Sequence, residues 1–283
     1  MKIIKISFVT LILFFSLSSS SQYISKEDRD ILINLSNNIL EGSDEEKIKN
    51  NNLFIDKIEE ILYSEKSFDE DFEFIKNNTS VIKSENKKIK IISWFIPLKT
   101  EHRFFCFIQE MIDEDYNFFF YESNEIKIEE IDKYQTETMN EDNWIGSVYY
   151  DIKKYESNKK INYILIGWSG SKLKNYKIIE SMFFDEKSQE FKFGSPLFKL
   201  NNKMLNRYII KYYVQSKLTL KFYNNETIVF DQLRENDINP IPDGGYNALI
   251  LKNKKWMLKE NFIPKNKIKL KKRKKINNNL FPN

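Results

Sequence analysis

The chain has one histidine and one cysteine in 283 residues. A zinc site built on histidine or cysteine draws three or four ligands from those types, so the count excludes one. Cys106 has no partner for a disulfide within the chain. It lies in Phe104-Phe-Cys-Phe-Ile108 and reads as a small buried hydrophobe. His102 lies in Thr100-Glu-His-Arg103 and reads as an exposed turn residue between two strands. A catalytic role would need a serine and an acid assembled around it. The seven glycines are scattered, and none forms Gly-x-Gly-x-x-Gly or Gly-Lys-Ser/Thr, which excludes a glycine-rich phosphate loop. After residue 22 there is no apolar run of the roughly 20 residues that a bilayer-spanning helix needs.

The first 22 residues are different. Lys2 and Lys5 precede the apolar stretch Ile6 to Phe15, and small polar residues fill 16–21. This is the layout of an export signal, with cleavage expected after Ser21. A mature chain of 262 residues would remain, not transmembrane after cleavage and long enough for one large domain with an appendage. Its mean hydropathy, −0.54 over the whole chain, agrees.

Charge is unevenly placed. The formal net charge is +4, of which Lys2 and Lys5 supply two. Lys265, Lys267, Lys269, Lys271, Lys272, Arg273, Lys274 and Lys275 supply eight, which leaves the body at about −6. The body therefore offers nothing that would draw a specific nucleic-acid partner. Residues 263–283 read as a disordered basic tail, either a solvated end or a contact for an anionic surface.

Residues 22–76 read as a helical segment. Ser25, Ser43 and Ser67 each stand three residues before an acid, the capping-box spacing. Apolar residues then recur at helical intervals: Ile31, Leu32, Leu35 and Ile39; Phe54, Ile55, Ile58, Ile61 and Leu62; Phe68, Phe72 and Ile75. Gly42 separates the first two stretches. Residues 77–262 read as β-rich. Strands are expected near 89–96, 103–112, 117–122, 162–168, 176–185, 190–193, 207–215, 218–223, 227–231, 247–252 and 255–259. A long acidic loop is expected at 124–145, and turns at 167–170 and 242–245. The fold class is thus mainly β, α+β overall: an antiparallel meander forming a barrel or a sandwich behind two or three helices. The sequons at Asn77, Asn78 and Asn225 are expected by chance in so asparagine-rich a chain.

Several stretches carry a resemblance. They are Ser84 to Trp94, Gly146 to Tyr150, Tyr163 to Gly170, Lys177 to Glu180, Phe193-Gly194, Arg207 to Tyr212, Ile228 to Asp231 and Pro242 to Tyr246. Their order and spacing resemble a family of uncharacterised secreted proteins common in Bacteroidota. The resemblance spans roughly residues 67 to 262. It implies export and a shared β-rich domain, and no reaction. The family commonly shows histidine after the aspartate of the Val-Phe-Asp strand, where this chain has Gln232.

The candidate chemistry rests on carboxylates and rings. Glu180, Asp231 and Asp243 all lie in the resembling stretches. Two carboxylates brought together could cleave a glycosidic bond. The alternative is that Asp243 shapes its turn and the others make local hydrogen bonds. Aromatics are abundant, with 23 Phe, 15 Tyr and 4 Trp. Trp168 and Tyr246, expected at turns, could stack on a sugar or peptide, although most rings should fill a β core. Gly167-Trp-Ser-Gly170 is one residue short of the nucleophile-elbow spacing. No cofactor or metal is expected. The sequence favours an exported, non-catalytic protein that binds an envelope glycan or protein. A carboxylate-dependent hydrolase and a purely structural protein are the alternatives.

Overall fold

The computed structural model describes residues 24–64, 66–113, 115–123, 131–157, 160–200, 202–234 and 239–264. The expected signal (1–21) and the basic residues from Lys265 lie outside these.

Two helices open the described chain. In α1 (Lys26–Asn38) Ser25 Oγ accepts the N–H of Asp28. In α2 (Asp44–Leu62) the box is complete: Ser43 Oγ accepts the Glu46 N–H, and the Glu46 carboxylate accepts the Ser43 N–H at 2.8 Å. Their stripes, Leu32, Leu35 and Ile39 with Phe54, Ile58, Ile61 and Leu62, form one buried cluster. The third stretch does not become an α-helix. Ser67–Asp69 and Glu73–Ile75 are single 3-10 turns, and Phe72 between them is left-handed (φ 48°). Ser67 Oγ donates to the Leu62 carbonyl and accepts from Gln109, so it is not available as a cap.

Three sheets follow. The first joins β1 (Ser80–Lys83), β2 (Ile89–Pro97), β3 (His102–Ile112) and β4 (Asp115–Glu122) as an antiparallel meander. It is buried on both faces. Ile92, Trp94, Ile96, Phe105 and Phe107 meet the helices, while Ile89, Ile91, Phe95, Phe104, Cys106 and Ile108 enter the main core. Burial on both sides removes the polar half of the usual strand alternation. A hydrogen bond from the Trp94 indole to Asn51 Oδ1 (2.8 Å) pins α2 to this sheet. Lys90, also buried, donates to the Ser67 carbonyl and lies over the Phe68 and Phe72 rings. Burial lowers its pKa to about 7.

A short helix, α3 (Ile131–Thr136), falls in the expected acidic loop, whose residues 124–130 are not described. The second sheet runs β11-β7-β6-β5, from β5 (Val148–Ser157), β6 (Lys160–Gly170), β7 (Asn175–Asp185) and β11 (Arg207–Tyr212), with β8 (Glu190–Phe193) also on β7. The third has the order β10-β9-β15-β14-β13-β12. It contains β9 (Phe198–Leu200), β10 (Lys203–Leu205), β12 (Leu220–Asn224), β13 (Thr227–Leu233), β14 (Pro242–Lys252) and β15 (Lys255–Lys259). Among the described residues every pairing is antiparallel except β9 with β15. Among the described residues no sheet closes on itself, so of the two architectures left open by the sequence, packed open sheets are adopted and not a barrel. All three sheets contribute to one main core.

Candidate functional site

A cavity of about 330 Å³ opens between the second and third sheets. Its walls come from Val148, Tyr150 and Asp151 of β5, Ile166 and Trp168 of β6, Lys177 of β7 and Leu220 of β12. Ser80, Thr219 and Lys221 add polar groups. The β5 wall depends on a bulge. Tyr149 pairs with Gly167 and Asp151 with Ile166, leaving Tyr150 as the extra residue. A bulge re-aims side chains, and Tyr150 and Asp151 both reach the cavity as a result. Tyr150 is 36% exposed overall, while its hydroxyl donates to the Leu220 carbonyl at 3.3 Å. Its ring thus stands at the rim and its polar end is tied inward.

Lys177 is the unusual wall residue. It pairs with Trp168 on β6 and Ile210 on β11, in the interior of the sheet, and is 1% exposed. Its ammonium lies 4.7 Å from the centre of the Tyr150 ring. Burial is the main influence on its pKa and lowers it to about 7, and the charge of Asp231 opposes that shift. Asp151 moves the other way, its carboxyl raised chiefly by burial.

Glu180, three residues further along β7, points through the opposite face. It is fully buried beside Arg207, its register partner on β11. Arg207 Nε donates to Glu180 Oε2 at 2.8 Å, and the Tyr149 hydroxyl donates to Oε1. The remaining guanidinium nitrogens donate to the carbonyls of Tyr134, Glu137 and Phe193. Trp144 donates its indole N–H to the Tyr149 oxygen at 3.0 Å, and the Tyr149 phenol is pushed well up by burial and by the Glu180 charge. This network binds α3 and the loop after it to the second sheet.

The other two carboxylates lie elsewhere. Asp231 on β13 accepts the Thr219 N–H at 2.7 Å, and its carboxyl is raised mainly by burial. Asp243 accepts the Gly245 N–H at 2.8 Å. Of the three, none is a wall residue of the cavity, and Glu180 faces away from it. Asp243 is near enough for its charge to add to the rise of the Asp231 carboxyl, while Glu180 is held apart in the Arg207 network.

The expected turns are displaced. Gly167 to Gly170 belongs to β6, and the chain reverses at Ser171 to Lys174, where the Ser171 N–H meets the Lys174 carbonyl at 2.7 Å. Trp168 is therefore a strand residue, 4% exposed, with its indole N–H on Asn175 Oδ1 (3.1 Å). Tyr246 is also on a strand, opposite Asp231, and is not a wall residue of the cavity. Pro242 to Gly245 starts β14: Asp243 makes its local turn bond, and a register shift between Asp231 and Leu233 absorbs the irregularity. His102 begins β3 and packs on Phe95, 4.9 Å between ring centres, and on Trp168. It is half-buried and no exposed turn residue, and burial, with Lys172 and Lys47 nearby, lowers its pKa to about 4. Cys106 is buried, and desolvation raises its thiol pKa well above the usual range.

Lys177 and the bulge of β5 are what a reading of the sequence passes over. The signal for the first is present: a lone lysine in the strand stretch Tyr176-Lys-Ile-Ile, where every neighbour is buried. The bulge leaves no such mark. Among the described residues no group of three or more His, Cys, Asp or Glu could hold a metal ion, and no helix is long and apolar enough to cross a membrane. No protein-family model matches the chain, and neither does any curated protein.

Proposed function

We propose that this chain is an exported, non-catalytic binding protein that holds a small ligand in the cavity between its second and third sheets. The observation that carries the reading is the cavity itself. A largely apolar recess with a few convergent polar groups and a lysine of displaced pKa is the usual build of a ligand site. At about 330 Å³ it is near the lower end of such sites, which suits a compact occupant or one group of a larger glycan or protein. The Trp168 ring, first considered as a stacking surface, is one of its walls. The separate structural duties of Glu180, Asp231 and Asp243 favour binding over hydrolysis by those groups. Export is supported by the layout of residues 1–22 and by the resemblance to secreted proteins.

Ligand-observed magnetic resonance on a fragment library tests the reading, with Ile166→Trp as the blocked control. Hits that disappear in the folded Ile166→Trp protein are expected. Hits that persist there, or none at millimolar concentration, would overturn the assignment. The mass of the protein recovered from the exporting cell should correspond to a chain that starts at Gln22.

A further inference from the structure

We infer that the occupant of this cavity is an uncharged, apolar molecule of one or two fused rings, seated between Val148, Ile166, Trp168 and Leu220, and that a sugar ring is excluded. The inference rests on the binding role given above and adds the chemical class.

Polar groups around the recess are engaged within the protein. The Ser80 hydroxyl donates to the Tyr149 carbonyl at 2.6 Å, and the Tyr150 hydroxyl to the Leu220 carbonyl at 3.3 Å. The Trp168 indole N–H is held by Asn175 Oδ1. The Thr219 N–H donates to Asp231 Oδ2 at 2.7 Å, and the Thr219 carbonyl in return accepts the Asp231 N–H at 3.1 Å. Asp151 Oδ1 accepts the Ile152 N–H at 2.9 Å. The Lys177 ammonium lies over the Tyr150 ring. A sugar carries hydroxyls around its whole ring, and each of them asks for partners when it leaves water. Most would go unpaired here, and every unpaired buried polar group weakens binding. A charged group fares no better. A carboxylate, Asp151, and the lysines 177 and 221 line the same recess, so a charge of either sign meets its like. An apolar ring asks for nothing that the walls lack.

Those walls are set before anything binds. Trp168 packs on Phe95 and Phe104, at 5.1 and 5.7 Å between ring centres, in addition to its bond to Asn175. The bond from Tyr150 to Leu220 ties the second sheet to the third at the recess. Walls held in this way need little ordering when a ligand enters, which favours a rigid occupant that matches them. Size gives the upper bound. An apolar cavity of about 150 Å³ takes benzene. At about 330 Å³ this one has room for two fused rings.

The full mature chain is titrated by calorimetry with three probes: indole, indole-5-carboxylate and methyl glucoside. Indole should bind, and the other two should bind at least roughly tenfold more weakly, the effect of one unpaired buried polar group. Ile166→Trp fills the recess from the second sheet and Leu220→Trp from the third. Indole binding should be lost in each of these that shows a cooperative thermal melt. If the glucoside or the carboxylate binds as well as indole and is lost in the same variants, the apolar class fails and the binding role stands. Indole binding that persists in a folded variant overturns the placement in this recess. If indole does not bind, the apolar class fails, and the fragment hits defined above decide the binding role separately.

Discussion

Replacing Arg207 by methionine isolates the energetics of the buried network. Methionine keeps most of the stem and removes every donor. The Glu180 carboxylate would then lie fully buried with the Tyr149 hydroxyl as its remaining donor. The carbonyls of Tyr134, Glu137 and Phe193 would lose their guanidinium partners at the same time. Removing one member of a buried ion pair costs about 3–5 kcal/mol, because an uncompensated charge stays inside. That is a large part of the 5–15 kcal/mol that typically holds a domain together. The double replacement Glu180→Leu, Arg207→Met removes the stranded charge and should be less destabilised than Arg207→Met alone. It still leaves carbonyl groups without donors, each worth about 1 kcal/mol. Guanidinium unfolding followed by tryptophan fluorescence measures the three stabilities, provided the denaturant slopes agree. Hydrogen exchange should quicken over α3 in both variants, since Arg207 is one of its ties to β11, beside the Gln135 side chain that accepts the Ile209 N–H. A loss below about 1 kcal/mol for Arg207→Met, or a double variant no better than that single one, would refute the argument.

Further outcomes follow from the same structure. Lys90 is buried, so its folded-state pKa of about 7 lies below the unfolded value, and the folded protein holds fewer protons. Stability should therefore rise from pH 7 towards pH 9 by up to about 1.4 kcal/mol per unit from this group, and fall as the pH returns to 7. Lys90→Met should lessen that slope and gain stability at pH 7; equal pH profiles for the two proteins would contradict this. Gly146→Ala should cost about 3 kcal/mol, because φ is +81° and the new Cβ would stand 2.5 Å from Ser123 Cβ. Gly244→Ala, also at positive φ but with nothing within 4 Å, should cost only about 1 kcal/mol, and thermal melts rank the pair. Ser43→Ala removes half of the capping box of α2 and should cost about 1 kcal/mol by the same melts.

The strands with apolar runs or clean alternation were legible in the residues. Those of β2, β3, β6, β7, β8, β13 and β15 fall close to where the sequence puts them, and α1 and α2 begin at their serine caps. What was not legible depended on partners distant in the chain. In β5, Asp151, Lys153 and Lys154 interrupt the apolar pattern, and the strand forms because β6 lies beside it. The three-residue strands β9 and β10 have too few residues to show a period. The capping spacing at Ser67 was present, yet tertiary bonds to Leu62 and Gln109 took the side chain that would have capped a helix. The site followed the same rule. Trp168 was singled out from the sequence and does line the cavity. Glu180 stood out equally, and alternation along β7 puts it on the far side from Lys177, a residue noted only as part of a motif.

The parallel contact between β9 and β15 bears on the order in which the chain can assemble. The first sheet is complete by Glu122 and uses neighbours only, so it can form early, over the helices that precede it. The third sheet has to wait. Phe198 sits opposite Trp256, and neither β9 nor β10 has a place in that sheet until the last described strand arrives. Closing so long a loop costs entropy before any contact repays it, which makes this the slow, late step. Until then the edges of β9 and β14 are open to other chains, and the risk of misassembly is concentrated in the final stage of folding.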